Sequence, residues 1–161
     1  MQEFLDIVDD KNEVVGSAPY DEVYSKRLNH RIVHVLLFND KGEIFLQQSS
    51  ANKKFCPGHW GTSAGGHVQK GEAYEQAAKR ELEEELGVIV PLIKILDTPY
   101  DHYKMRKFLS VFRGISEGPF NFNEEEVAGG RWFSVADVKD MVSKHQLVHP
   151  ELAHVIEKLY P

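Results

Sequence analysis

Cysteine is almost missing from this chain. Cys56 stands alone among 161 residues, so no internal disulfide can form and a reducing, cytoplasmic setting is expected. Long apolar runs are missing too: none approaches the roughly 20 residues that a membrane-spanning helix needs. The opening Met1-Gln2-Glu3-Phe4 lacks the basic-then-apolar pattern of a secretory leader. Basic residues are in deficit, 19 Lys and Arg against 25 Asp and Glu, and the formal charge of −6 argues against a nucleic-acid-binding surface. Repeats, low-complexity stretches and long linkers do not occur. What remains is a chain of a length that buries a core without covalent staples, read as one domain, 1–161, with a hairpin extension over about 1–28. With nucleic acid and membrane set aside, the expected partner is a small molecule, and a homodimer is the commonest assembly for a protein of this kind.

The hydrophobic pattern divides the chain into short elements. Glu3 to Val8 and Glu13 to Val15 flank Asp9-Asp10-Lys11-Asn12 and read as a hairpin. Pro19 introduces a helical stretch, Tyr20 to Leu28, with Tyr20, Val23, Tyr24 and Leu28 on one side. Ile32 to Phe38 is nearly continuous apolar sequence, the mark of a strand buried on both faces. Asn39-Asp40-Lys41-Gly42 turns it into Glu43 to Gln48, and a loop punctuated by Pro57-Gly58 leads to a short strand at Trp60 to Ala64. A helix is expected over Glu72 to Leu86, then strands near Val88 to Leu96, Tyr103 to Phe112 and Arg131 to Phe133. Ser134 caps a helix to about Ser143, with Asp137 at the capping-box position, and Pro150 opens a last helix ending near Tyr160. Strands separated by helices predict α/β or α+β layering. Trp60 and Trp132 read as core, Cys56 as structural, and Phe55, Tyr100 and Tyr103 as candidates to line a pocket.

Chemistry concentrates between Gly66 and Val88: Gly66, five residues, Glu72, seven residues, then Arg80-Glu81-Leu82-Glu83-Glu84-Glu85-Leu86-Gly87-Val88. On a helix Glu81 neighbours both Glu84 and Glu85, a spacing at which like charges repel. Glu83-Glu84-Glu85 by itself would be read as a solvated face. Its surroundings say otherwise. Gly65 and Gly66 let backbone approach a ligand, Arg80 can reach Glu72 or a neighbouring Glu, and Gly87 can end the helix in a left-handed conformation. Tyr74, Ala78, Leu82 and Leu86 form the opposite, packing stripe. Hard oxygen ligands suit Mg2+ or Mn2+, and such an ion between carboxylates points to cleavage of a phosphoanhydride.

The segment resembles the Nudix box: Gly, five residues, Glu, seven residues, Arg-Glu-hydrophobic-x-Glu-Glu-x-Gly-hydrophobic. Gly66, Glu72, Arg80, Glu81, Leu82, Glu84, Glu85, Gly87 and Val88 match all its specified positions. The resemblance implies a Nudix fold, a mixed sheet between helices, and a pyrophosphohydrolase acting on a nucleoside diphosphate joined to another moiety. It implies Glu84 and Glu85 as metal ligands, Glu81 as a third ligand or a base, the Gly65 or Gly66 carbonyl in the metal shell, and Glu72 with Arg80 as braces. The family often draws a base or ligand from a loop outside the box, and Glu124-Glu125-Glu126 is the candidate loop here, Glu125 and Glu126 being carried forward as catalytic candidates. Lys53, Lys54 and His67 are candidates to bind substrate phosphate.

The flanks resemble the isopentenyl-diphosphate isomerases and the hydrolases related to them, through Leu37-Phe38-Asn39-x-Lys41-Gly42, Lys53-Lys54-x-x-Pro57-Gly58-x-Trp60 and Ser63-x-x-Gly66-His67-x-Gln69-x-Gly71-Glu72. Those isomerases carry an essential cysteine where this chain has Gly65, acids on a later strand where it has Met105 and Lys107, and two arginines where it has Gln48 and Ser49. His30 and His67 match isomerase metal ligands, with His34 on the nearby strand, but their acidic partners are gone. The expectation is a hydrolase. Isopentenyl-diphosphate isomerase and a non-catalytic nucleotide-sensing module are the alternatives.

Overall fold

A computed structural model describes residues 2–161. The chain opens with a two-stranded antiparallel sheet, β1 (Phe4–Val8) and β2 (Val14–Pro19), followed by a short helix α1 (Tyr20–Ser25). This helix ends earlier than its apolar spacing predicts, and Arg27 beyond it turns at φ 56°.

The organising element is β3 (His30–Phe38). Its alternate residues point to opposite sides. Ile32, Leu36 and Phe38 join one core with residues of α3 (Val135–Ser143) and α4 (Pro150–Leu159). Val33, Val35 and Leu37 join a second core with Ala77, Ala78, Leu82 and Leu86 of α2 (Tyr74–Leu86). The unbroken apolar run is therefore a strand covered on both faces. The result is a mixed α/β fold with the sheet between helices.

Along the sheet, β3 pairs in parallel with β8 (Met105–Ile115), and β8 pairs antiparallel with β7 (Ile93–His102). On the other edge of β3, two strands lie end to end. Leu37 and Phe38 pair with β4 (Ile44–Ser49), while Ile32 to Val35 pair with β6 (Ala64–His67). The stretch expected as one strand, Trp60 to Ala64, is thus divided: β5 (Trp60–Gly61) pairs with β4, and β6 belongs to β3. Ser63 stitches the junction, its hydroxyl donating to the Phe45 carbonyl at 2.5 Å and accepting from Leu37 N–H at 2.8 Å. β9 (Val127–Phe133) is longer than expected because it runs antiparallel along β4.

The strand expected over Val88 to Leu96 begins only at Ile93. Pro91 has no N–H for a ladder, and Val90 and Leu92 instead pack beside the α2 core. Helix α2 closes on Gly87 at φ 68°, as its sequence predicts. Ser134 caps α3 by accepting from Asp137 N–H at 3.0 Å. Trp60 packs on the first core and Trp132 on the second. Among the described residues no helix is long and apolar enough to cross a membrane.

Candidate active site

β6 delivers Gly65 and Gly66 directly beneath α2. A β-carbon on Gly66 would lie 2.4 Å from the Glu81 carboxyl carbon, so only glycine lets that carboxylate come so close to the strand. Glu81 and Glu85, one helical turn apart, are in hydrogen-bond contact. Glu85 is 7 % exposed. Gln47 Nε2 donates to its Oε1, and the Gly65 N–H donates to its Oε2 at 3.3 Å. Burial raises the pKa of both carboxyls, and contact with Glu81 pushes Glu85 well above the usual range. Two like charges so close oppose each other's ionisation.

Arg80 braces the group. Its Nε and Nη2 donate to the two oxygens of Glu72 at 2.8 and 2.9 Å, its Nη1 to Glu81 at 2.8 Å and Glu84 at 3.3 Å, and its Nη2 also to the His67 carbonyl at 3.0 Å. Glu72 completes the brace by accepting from Gln69 N–H at 3.0 Å. Glu84 is more open, its side chain 56 % exposed. As the side chains lie, no three His, Cys, Asp or Glu groups among the described residues converge on one point, since Glu84 leans toward Arg80. The donor set nevertheless fits a hard divalent cation: Glu81 and Glu85 bring oxygens together in a buried place, and a cation there would favour their ionised forms.

A cavity of about 490 Å³ opens from this pair, lined by Glu85, Gly65 and Gly66 at one end. The other expected residues distribute around it unevenly. Lys53, Lys54 and Glu126 line it, with Lys53 Nζ donating to Glu126 Oε2 at 2.5 Å across the mouth. Glu125 is exposed on its turn and, like Glu124, does not line the cavity. His67 lines it, but its Nε2 meets the Tyr24 hydroxyl at 2.8 Å and its Nδ1 lies 3.4 Å from Glu3 Oε1. Both ring nitrogens are therefore engaged. His30 is fully buried; its Nδ1 donates to the Leu28 carbonyl at 2.8 Å, its Nε2 has no partner among the described residues, and burial pushes its pKa down to about 4. Phe55, Tyr103 and Cys56 line the cavity, while Tyr100 packs against the α3–α4 core. Burial raises the Cys56 thiol.

The sequence profile of the NUDIX domain matches residues 28–159. The chain belongs to the Nudix family. Relatives include the Nudix hydrolase YfcD of Shigella flexneri, 33 % identical with 84 % of this chain and 76 % of that protein aligned. The Nudix hydrolase all7351 of Nostoc is 31 % identical over 98 % of this chain and 96 % of its own. Among solved structures, DR0079 from Deinococcus radiodurans superposes with a TM-score of 0.89 at 27 % identity, covering 99 % of this chain and 100 % of that one. The protein is a Nudix-type pyrophosphohydrolase, and Nudix enzymes generally use divalent metal ions to cleave pyrophosphate bonds in nucleoside diphosphate derivatives.

Two features of this Nudix site escaped the sequence. Gln47, which orients Glu85, comes from β4 and carries no motif. A buried Lys107–Glu151–His34 network lies in the same cavity. In the sequence Lys107 stands out only as a departure from the isomerase acids and His34 only as a neighbour of His30, and the signal comes from their convergence with Glu151.

Proposed function

We propose that the protein is a Mg2+- or Mn2+-dependent hydrolase that cleaves the phosphoanhydride of a nucleoside diphosphate linked to another moiety. The contact between Glu81 and Glu85 at the end of the cavity carries this reading. Glu81, Glu84 and Glu85, with the Gly66 carbonyl, are the groups that would hold the ion. Bound there, it would neutralise the diphosphate and make a bound water more acidic. The protein's part is positioning. Arg80 and Glu72 lock the carboxylate helix onto the glycine strand, Gln47 fixes the Glu85 oxygens, and Glu81 serves either as a further ligand or as the base. Lys53 and Lys54 offer positive charge to phosphate oxygens at the mouth, and Glu126, held there by Lys53, is the base candidate from outside the box. The extension 1–28 works with the rest as one unit, since Tyr20 and Tyr24 form a wall of the same cavity.

Isomerisation of isopentenyl diphosphate is set aside on two observations. A side chain at Gly65 would meet His34 Nδ1 at 2.9 Å and the Val33 carbonyl at 3.0 Å, so the slot of the isomerase cysteine is closed. Lys107 pairs with His30 across β3 and β8, placing an ammonium where the isomerase needs an acid. Turnover separates an enzyme from a sensing module. ADP-ribose, nucleotide sugars, dinucleoside polyphosphates, nucleoside triphosphates and isopentenyl diphosphate are incubated with Mg2+ or Mn2+ and product release is followed, alongside Glu85→Gln. Cleavage of one class, lost in the variant, is expected. Tight binding without cleavage would replace the hydrolase by a sensor.

A further inference from the structure

The cavity runs from the carboxylate pair to a second group of charges that hydrolysis does not use. Lys107 on β8 is 4 % exposed and Glu151, in the first turn of α4, is 5 % exposed. Lys107 Nζ donates to Glu151 Oε2 at 3.0 Å, and Glu151 Oε1 accepts from His34 Nε2 at 2.8 Å. His34 Nδ1 rests on Thr62 Oγ1 at 2.7 Å, and that hydroxyl donates to the Ala64 carbonyl at 3.0 Å. Burial by itself would raise the Glu151 carboxyl, but the His34 hydrogen bond and the His34 and Lys107 charges hold it well below the usual range. Taking such charges out of water costs several kcal/mol per ion, and apolar residues of similar volume generally serve a fold as well or better. The network calls for a reason beyond packing.

The donor count supplies one. An ammonium has three N–H groups, and among the described residues the one hydrogen bond of Lys107 is to Glu151. Lys107 lines the cavity wall, so an acceptor arriving with a ligand can meet the ammonium there. A hydrogen bond to a charge in this largely desolvated place is worth more than one at an exposed lysine. The surroundings say what kind. The Tyr24 ring lies 5.4 Å from Nζ, and Phe55, Tyr103, Ile32 and Leu152 supply flat and apolar walls. A carboxylate 3.0 Å from Nζ makes the spot poor for a phosphate. Tyr103 is 70 % exposed at the hairpin tip and holds φ 46°, with Lys104 at φ 64°. Positive φ at both positions is what the tight two-residue turn joining β7 to β8 requires, and Tyr103 lines the cavity from that tip.

We propose that this end of the cavity is a recognition subsite for a planar ring bearing a carbonyl oxygen, carried on the diphosphate, with Lys107 donating to that oxygen. The assignment rests on the diphosphate reading of the carboxylate end. It makes Lys107 a specificity residue, since a site built to hydrogen-bond one group rejects the analogue that lacks it.

The matched pair of hypoxanthine and adenine differs at the exocyclic carbonyl. Calorimetric titration with Mg2+ compares the α,β-methylene diphosphates of inosine, uridine and adenosine, adenosine α,β-methylene triphosphate, and methylenediphosphonate, which has no ring. The wild-type protein is expected to bind the inosine and uridine compounds about ten- to a hundredfold tighter than the adenosine diphosphate, the range for a hydrogen bond to a charged group. Lys107→Met should collapse that gap to within a fewfold. Where the single variant leaves Glu151 unpaired and unfolds, Lys107→Met/Glu151→Gln removes both charges and reads the same gap. Equal wild-type affinity for inosine and adenosine compounds, or a gap that survives the substitution, overturns the subsite. So does a loss in Lys107→Met confined to the triphosphate, which would make Lys107 a phosphate ligand. Failure of methylenediphosphonate to bind overturns the diphosphate reading itself, and the subsite with it.

Discussion

Gly66→Ala is the substitution that best separates chemistry from folding in this site. The new β-carbon would stand 2.4 Å from both the Glu81 carboxyl carbon and Oε1, where ordinary contact begins at 3.4 Å, so the carboxylate must retreat by 3.4 − 2.4 = 1.0 Å. It can do so cheaply. The obstacle is the far end of a flexible side chain, and the main cost is the weakened hydrogen bond from Arg80, about 1 kcal/mol. The catalytic cost is far larger, because a displacement of about 1 Å in a positioned group lowers rates by roughly a hundredfold. Product release from the best diphosphate substrate with Mg2+, read beside thermal melting, should show that loss in kcat with a Tm shift of only a few degrees. Adding Glu81→Asp, shorter by one methylene, should recover part of the activity. Full activity in Gly66→Ala would remove Glu81 from the reaction, and a loss of stability matching the loss of rate would make Gly66 a structural residue only.

The raised Glu85 carboxyl predicts an unusual pH dependence. The folded pKa of Glu85 is raised, so its contribution to stability is complete below the unfolded value near 4.5 and is lost as pH rises through the folded value. In chelator, the wild-type Tm should therefore fall with pH above that point while Glu85→Gln melts higher and more evenly; Mg2+ should rescue the wild type alone. Parallel melting curves for the two proteins would refute the raised Glu85 carboxyl. Arg80→Lys keeps the charge but loses the fork onto Glu72, Glu81 and Glu84, and should cost about 2–3 kcal/mol in urea unfolding; a cost under about 0.5 kcal/mol would show that the brace is decorative. Glu126→Gln should lower kcat at least about tenfold while Glu125→Gln stays within about twofold, because only Glu126 lines the cavity. Reversal of that order in steady-state kinetics would reassign the base.

The box helix was legible because its information is local. The spacing of Arg80, Glu81, Glu84 and Glu85 along one helix already brings them within reach of each other, with Glu72 just before its first turn, and Gly87 ends that helix whatever the rest of the chain does. The same holds for β3, whose apolar run from Ile32 to Phe38 announces burial on both faces. Local sequence could not say that Trp60 and Ala64 pair with different strands, because a strand's partner is a long-range choice settled by which edge is free. Nor could it choose between Glu125 and Glu126, adjacent acids on one turn that differ only in which one faces Lys53. The Lys107–Glu151–His34 network lay beyond any motif. Lys107 and Glu151 are 44 residues apart, and His34 and Glu151 are 117 apart. The sequence by itself determined the layered fold and the grouping of the box carboxylates, through periodicity and fixed spacing, and pointed to the family through the resemblance that the box carries. Tertiary structure alone decided the shape of the cavity, the partner that orients Glu85 and the buried ammonium at its far end, because these depend on β4, β8 and α4 being brought together by the core.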